Sequence, residues 1–333
     1  MTLFPWQQTA WQNLFQHPGR IPHALLLEGP KGQGKLHFAK TVAQSLLCLT
    51  PDNNHVACQT CQSCLWLSQK NHPDFILIGA EEDSTEEATT KRASGQILID
   101  QIRALDDIVY QTTHSGKPRV VIIDQADKLH TNAANAFLKK LEEPSEYTRY
   151  ILTTAKKHRL LPTILSRCQA FYPGIASEKL AIDWLVSQNV KEAQKWFHRA
   201  RSPLEAKALA EAGIDLASEL MDAFLQYRKD GAIFLAEHIE KNHVSKKSFI
   251  AVDVFISVLQ KINYDLILLA KGLKLHYHPD KITPLQSLGK NCHIDTLMLY
   301  EQQLLEYRKE ALHPLNTRLF LETILLDCPY LSL

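Results

Sequence analysis

Four cysteines in the first fifth of the chain have the type and spacing of a metal site. Cys58, Cys61 and Cys64 form a C-x2-C-x2-C run, and Cys48 precedes them at the end of a predicted helix. Four thiolates suit tetrahedral zinc, and the residues PDNN at 51–54 supply a turn that can fold the chain back. An iron–sulfur run typically has a fourth cysteine three residues later, followed by proline, which is absent here. Unligated structural cysteines remain an alternative, above all for Cys48. The motif carries no acid or base, so a bound metal is expected to be structural.

A glycine-rich turn follows the first predicted strand. Residues 29–36 read GPKGQGKL, in which Gly29, Gly34 and Lys35 fit a phosphate-binding loop that opens a helix. In such a loop the backbone N–H groups surround a phosphate, and the lysine reaches the terminal phosphates. The next position normally holds Ser or Thr, whose hydroxyl ligates Mg²⁺. Here it is Leu36, and an aliphatic side chain cannot coordinate a hard cation.

A second part of an ATPase site is also incomplete. The apolar run at 120–123 is followed by Asp124, which suits an outer Mg²⁺ contact, and by Gln125. A water-activating carboxylate belongs at the second position, and a neutral amide cannot take a proton. The losses at Leu36 and Gln125 together favour an ATPase scaffold that does not turn over ATP. Nucleotide binding without hydrolysis stays open because the loop glycine and Lys35 are intact.

Arg167 lies in the run Ser166, Arg167, Cys168, which follows the predicted strand at 150–154. Arginine stays charged and presents five donors in a rigid fork, so it suits the stabilisation of a transferring phosphoryl group in a neighbouring subunit. Spacing alone fits an ion-paired surface arginine equally well. The residues by themselves leave the role of Arg167 open.

Other basic residues have simpler interpretations. The run KKHR at 156–159 is interpreted as a solvated turn, with direct DNA binding as the alternative. Lys139 and Lys140 are predicted to lie on an exposed helix face.

The elements that must position these residues alternate along the first half of the chain. Near-continuous apolar runs predict strands at 24–27, 75–78, 120–123 and 150–153, and helical periodicity predicts helices at 35–47 and 131–143. This order predicts a parallel sheet covered by helices on both faces. From about residue 175 the pattern is helical. It is least decisive in the β-branched run 252–258, where a buried strand remains the alternative. A solvated loop is predicted at 81–96 from its charged and polar composition.

Composition and charge narrow the functional class. The 333 residues, with Lys+Arg 37, Asp+Glu 36 and 45% hydrophobic residues, indicate a globular chain of about two or three domains. A net charge of +1 argues against an independent electrostatic nucleic-acid binder. The chain has no signal-peptide pattern and no apolar stretch of about 20 residues, so a cytoplasmic location is predicted. In that reducing compartment, crowded cysteines favour metal binding over disulfides.

Several motifs in combination resemble one family. They are the loop at 29–35, the four cysteines followed by HPD at 72–74, AANAFLKKLEEP at 133–144, and SRC at 166–168. Together they resemble the delta-prime family of bacterial DNA polymerase III clamp-loader subunits over nearly the whole chain. The LEEP and SRC stretches alone also occur in the related gamma/tau motor subunits.

The resemblance implies a domain order and a set of partners. It implies an α/β AAA+ module over residues 1–172 with a zinc-binding insert near 48–64, a small helical lid at 173–210, and an all-α collar at 211–333. The collar would assemble a pentamer with delta and three gamma/tau subunits. That complex opens the sliding clamp and places it on primed DNA, as part of the DNA polymerase III holoenzyme.

The resemblance also implies roles for particular residues. Cys48, Cys58, Cys61 and Cys64 would hold structural zinc, and Arg167 would be an arginine finger for an adjacent gamma/tau ATP site. The subunit itself would be a stator without its own ATPase activity; the alternative is a motor subunit that hydrolyses ATP.

One departure from the clamp-loader ATPases concerns the lid. Those ATPases commonly show Gly-Ser-x-Arg there, with the arginine sensing the γ-phosphate, but residues 201–204 read RSPL and place Leu204 at that position. This third loss again favours a subunit that does not hydrolyse ATP. The sequence assigns no chemical role to Cys168, Cys292 or Cys328.

Overall fold

A computed structural model describes residues 2–16, 21–79, 95–109, 111–227, 231–241, 252–311 and 316–331. Nearly all of the loop predicted at 81–96 lies outside these residues. The chain divides into two compact units, Met1–Trp184 and Leu185–Leu333. The division into three domains, with boundaries after 172 and 210, remains a prediction.

In the described part of the first unit, five strands form one sheet. They are β1 (Ala24–Glu28), β2 (Phe75–Ile78), β3 (Arg119–Ile123), β4 (Thr148–Thr154) and β5 (Gln169–Phe171). Their order is β2-β3-β4-β1-β5, and every neighbouring pair is parallel. The four predicted strands are confirmed. The fifth, β5, was not predicted, because it is only three residues long and two of them are exposed.

Helices of the first unit pack on both faces of this sheet. They are α1 (Gln8–Phe15), α2 (Lys35–Leu47), α3 (Gln62–Ser68), α4 (Ile99–Arg103), α5 (Asp106–Val109), α6 (Thr131–Glu142) and α7 (Pro162–Leu165), with 3-10 turns at Pro5–Gln7, Ala126–Lys128 and Lys157–Arg159. Alternate residues of β3 enter two different cores. Val121 and Ile123 pack with Phe137 of α6, and Val120 and Ile122 pack with residues of α2. This alternation confirms a sheet covered on both sides. Because the neighbouring strands are parallel, the carboxyl ends of β1, β3 and β4 lie at one edge of the sheet.

All regular elements described after β5 are helical. They are α8 (Glu178–Ser187), α9 (Ala193–Ala200), α10 (Pro203–Ala212), α11 (Leu216–Tyr227), α12 (Ala232–Ile239), α13 (Val252–Ala270), α14 (Ile282–Gly289), α15 (Ile294–Glu310) and α16 (Thr317–Leu326). The helical interpretation of 252–258 is confirmed, because this run begins α13 and buries Phe255 and Ile256. None of the described helices has both the length and the apolar character that a membrane crossing requires.

One prediction about α6 is wrong. Lys139 is exposed, but only 3% of Lys140 is, and its ammonium group contacts the carboxylate of Asp106 in α5. A buried ammonium group needs such a partner. The partner lies 34 positions away, so the local sequence pattern could not reveal the pair.

Candidate functional site

The four predicted metal ligands converge on one point. Their Sγ atoms all lie within 4.8 Å of one another. Cys48 follows the last residue of α2, Cys61 directly precedes α3, Cys64 lies inside α3, and Cys58 comes from the loop between these helices. The cluster therefore joins two helix ends and a loop. Clustering of all four thiols in one place is what separates a metal site from scattered structural cysteines.

The donor set fits zinc. The Sγ of Cys48 lies 3.5 Å from that of Cys58 and 3.9 Å from that of Cys61. Tetrahedral zinc with bonds of about 2.3 Å would separate its sulfur ligands by about 3.8 Å. The backbone amides of Cys58 and Cys61 donate hydrogen bonds of 3.3 Å to the sulfurs of Cys48 and Cys58, which favours thiolates. The four sulfurs therefore lie close to the separations that one zinc ion requires.

The pKa values of three of these thiols are shifted in different directions. Hydrogen bonds, first of all from the Thr50 side chain, lower the pKa of Cys58 to about 5. Burial raises the pKa of Cys48 and of Cys64. A metal ion would have to displace the protons of the buried thiols, so its binding is expected to release protons.

A buried hydrogen-bond chain links this cysteine module to β2. Ser63 donates to the backbone oxygen of Leu47 at 2.6 Å, and its Oγ lies 2.8 Å from His72 Nε2. The amide of Asp74 donates to His72 Nδ1 at 3.0 Å, so the ring proton belongs on Nε2 and is donated to Ser63. Burial lowers the pKa of His72 and keeps the ring neutral.

Asp74 fastens the same segment to the region before β3. Its carboxylate is fully buried and accepts hydrogen bonds from His114 N and from the amide and hydroxyl of Ser115. Arg119 lies 3.5 Å away and is also buried. Burial raises the pKa of Asp74, but these donors and Arg119 outweigh it and hold the pKa below the ordinary value. The motif HPD at 72–74 is thus a structural connector. The sequence patterns did not predict this function, although His72 and Asp74 stand directly before a predicted strand.

The glycine-rich turn after β1 has the conformation of a loop that opens a helix. Gly34 precedes α2 with φ 82°, and a Cβ there would lie 2.6 Å from the ring of Phe4. Trp6 Nε1 donates to the oxygen of Gln33 at 2.9 Å, and Gln7 Nε2 donates to the oxygen of Gly34 at 3.0 Å. These outside donors hold the loop carbonyls. The N-terminal residues therefore fix the shape of the loop.

Lys35 and Leu36 take different positions at the start of α2. The Lys35 ammonium group donates to the oxygens of Gly29 and Pro30, at 2.9 and 2.7 Å. Leu36 is partly buried and packs against the core that α2 shares with the sheet. Leu36 therefore has a packing function at the position where a magnesium-binding hydroxyl would be needed.

The predicted acidic position lies two strands away from the loop, with β4 between β3 and β1. Asp124 directly follows β3 and accepts a 2.6 Å hydrogen bond from the hydroxyl of Thr153 in β4. The backbone N–H of Gln125 donates to the same hydroxyl at 3.0 Å, and Gln125 has φ 55°. The adjacent strand end thus fixes the backbone here, but the side chain at 125 is an amide.

Arg167 lies just beyond α7, with 35% of its side chain exposed. Its Nη2 forms a 2.9 Å ion pair with Glu142, the last residue of α6. Its Nη1 donates to the oxygen of Thr163 at 3.0 Å and lies 3.3 Å from Ser166 Oγ. Among the described residues, none of its contacts is with the loop at 29–35. The sites therefore fall into three places: the cysteine module, the loop with the ends of β1 and β3, and Arg167.

Of the remaining residues that the sequence singled out, Lys157 contacts the end of β1, and the three other cysteines lie outside the cysteine cluster. Burial raises the pKa of Cys168 to about 12, and this residue packs against the core beside α6. The basic run at 156–159 is exposed, which confirms the predicted solvated turn, and Lys157 pairs with Glu28 at 2.9 Å. Cys328 is buried in the helical core of the second unit, and Cys292 packs against that core. Leu204, in α10, is partly buried.

The chain is an α/β protein that combines a parallel sheet, a glycine-rich turn before a helix and a cluster of four cysteines. The family described as "DNA polymerase III, delta subunit" matches residues 6–172. DNA polymerase III subunit delta' of Pseudomonas aeruginosa is 31% identical over 336 residues, covering 98% of this chain and 97% of that protein. The Escherichia coli subunit delta' is 27% identical over 310 residues, covering 88% and 89%. The chain belongs to the delta-prime family of DNA polymerase III subunits, which confirms the resemblance carried by its motifs.

One solved structure gives a weaker comparison. A DNA polymerase III gamma subunit-related protein from Thermotoga maritima is 20% identical, covers 96% of this chain and 97% of its own, and has a TM-score of 0.43.

Proposed function

We propose that this chain is the non-motor stator of a clamp loader. In this proposal it assembles with gamma/tau and delta subunits, helps them load the sliding clamp on primed DNA, and supplies Arg167 to the ATP site of a neighbouring gamma/tau subunit. The observation that carries the proposal is the setting of Arg167. Its guanidinium is partly exposed and contacts Glu142, Thr163 and Ser166, with no described contact to the chain's own phosphate loop. An arginine so placed is available to a second protein.

Two residues support the absence of ATP hydrolysis by the chain itself. Leu36 packs against the core at the position where a magnesium-binding hydroxyl belongs, and Gln125 stands where a carboxylate would activate water. Loss of either group would slow phosphoryl transfer, and the chain lacks both. The loop would then serve assembly, with nucleotide bound silently or absent.

The cysteine module supports a structural zinc held by Cys48, Cys58, Cys61 and Cys64. Zinc would cross-link the end of α2 to the start of α3 and would not act on a substrate. All four ligands come from the protein, so the ion would have no open position for water. The buried chain from Ser63 to Asp74 would then connect that cross-link to the sheet.

Reconstitution tests the proposal. Gamma/tau, delta and this chain are mixed and passed over a sizing column, and clamp loading on primed DNA is measured with and without the chain. We expect one co-eluting complex whose ATP turnover and loading both fall when the chain is omitted. Elution of the chain apart from gamma/tau and delta would contradict the assembly function.

A further inference from the structure

We infer that Glu142 is a positioning residue for Arg167, and that it sets the direction in which the guanidinium faces a phosphate of the adjacent subunit. This inference rests on the proposed function of Arg167. It concerns the ion pair between these two side chains. Oε1 of Glu142, the last residue of α6, lies 2.9 Å from Nη2 of Arg167, just beyond α7.

The backbone on both sides of the pair is anchored. Leu141, next to Glu142, is buried in a core cluster. Ile164, three residues before Arg167, belongs to the same cluster, and Cys168, directly after Arg167, packs against it. The two charged side chains thus project from a fixed base into solvent, with 49% of Glu142 and 35% of Arg167 exposed. A flexible side chain on a fixed base takes its direction from the contacts along it.

Those contacts hold one part of the guanidinium and leave another part available. Arginine has five N–H donors. Acceptors contact Nη1 and Nη2 here, whereas Nε–H has no partner within the described parts of the chain. Glu142 and the Thr163 oxygen therefore act as fixed points, and the remaining donors can approach a phosphate oxygen. Holding a donor in its productive direction before the reaction is what makes charge stabilisation effective.

The exposure of the pair argues against a mainly structural function. Ion pairs between exposed side chains stabilise folded proteins little. Replacing Glu142 should thus leave folding intact and change how well Arg167 is directed. Glu143 offers a matched control, because it is the next residue, exposed, and without a described contact to Arg167.

Steady-state ATP turnover of the reconstituted clamp loader, with clamp and primed DNA, tests the inference. We expect Glu142→Gln to lower kcat about threefold to tenfold with KM unchanged, Glu142→Asp to recover part of the loss, and Glu143→Gln to match wild type. Thermal unfolding of each purified variant should match wild type. In an Arg167→Ala background, Glu142→Gln should cause no further loss, because its effect acts through Arg167.

Four results would overturn the inference. Full turnover with Glu142→Gln, together with a loss in Arg167→Ala, would refute the positioning function of Glu142 but not the function of Arg167. A loss that adds to that of Arg167→Ala, or a gain in turnover, would mean that Glu142 acts elsewhere or restrains the arginine. Full turnover with Arg167→Ala itself would overturn both this inference and the proposed arginine finger.

Discussion

Ser63 Oγ and His72 Nε2 lie 2.8 Å apart in the protein interior and join the cysteine module to the sheet. Ser63 also donates to the backbone oxygen of Leu47, the residue before Cys48, and the backbone N–H of Asp74 donates to the other nitrogen of the ring. The ordering of the cysteine cluster is therefore coupled to the entry of β2. If a metal bound at the cluster were removed, the start of β2 should be destabilised together with the cysteine loop.

Freshly purified protein should contain about one zinc per chain, measured by mass spectrometry of the metal. Cys64→Ser should lower that content to well under half, and it should reduce the free energy of unfolding because the ion binds only the folded chain. Cys292→Ser is the control, since Cys292 lies in the other unit and outside the cluster. Little zinc in the wild-type protein would contradict the assignment.

Gly34→Ala should destabilise the protein more than Gly213→Ala does. Both glycines have left-handed backbones, with φ 82° and 69°, but the added Cβ meets Phe4 at 2.6 Å in the first and nothing within 4 Å in the second. Overpacking should add about 1–3 kcal/mol to the backbone cost, as measured by denaturant unfolding. Phe4→Ala should recover much of that difference. Equal losses for the two glycine variants would mean that Phe4 does not constrain the loop.

Sequence patterns predicted the elements whose signals are local. The apolar runs of β1 to β4 and the periodicity of α2 were sufficient to predict the parallel sheet and the place of the loop at 29–35 between β1 and α2. The spacing of the cysteines predicted their convergence. Each of these signals depends on residues close together in the chain.

Features that depend on distant partners were missed. Lys140 is buried because Asp106 reaches it from α5, and Glu142 meets Arg167 from the end of another helix. The short edge strand β5 gains its hydrogen bonds from β1 and needs no apolar run of its own. Such pairs follow from tertiary packing, which periodicity does not encode.

Acid should destabilise the second unit through His278. Its ring and Asp265 are fully buried and 2.8 Å apart, and Arg199 also faces the ring. Burial lowers the pKa of His278 from 6.5, outweighing Asp265 and Asp215, which favour the charged form. As pH falls below about 6.5 the unfolded chain takes up a proton first, so the free energy of unfolding should decrease there by at most about 1.4 kcal/mol per pH unit.

Denaturant unfolding between pH 7 and pH 5 measures this effect. His278→Asn should flatten the slope, since the amide keeps a donor for Asp265 but cannot titrate. His293→Asn, at an exposed histidine of the same unit, should keep the wild-type slope. An unchanged slope in His278→Asn would contradict the assignment to this ring.

Purified protein alone should hydrolyse Mg²⁺-ATP no faster than buffer, because Leu36 cannot bind the cation and Gln125 cannot accept a proton. Phosphate release, followed by a coupled assay, measures this. Lys35→Ala should change nothing in that assay. Turnover by the wild-type chain that Lys35→Ala abolishes would instead support a motor subunit.

ATP turnover by the reconstituted complex, with clamp and primed DNA, shows whether Arg167 acts on the ATP site of another subunit. We expect Arg167→Ala to lower turnover about tenfold or more while the complex still assembles normally on a sizing column. Arg103→Ala, at an exposed arginine of α4, should keep full turnover. Unchanged turnover in a fully assembled Arg167→Ala complex would mean that Arg167 has no such function.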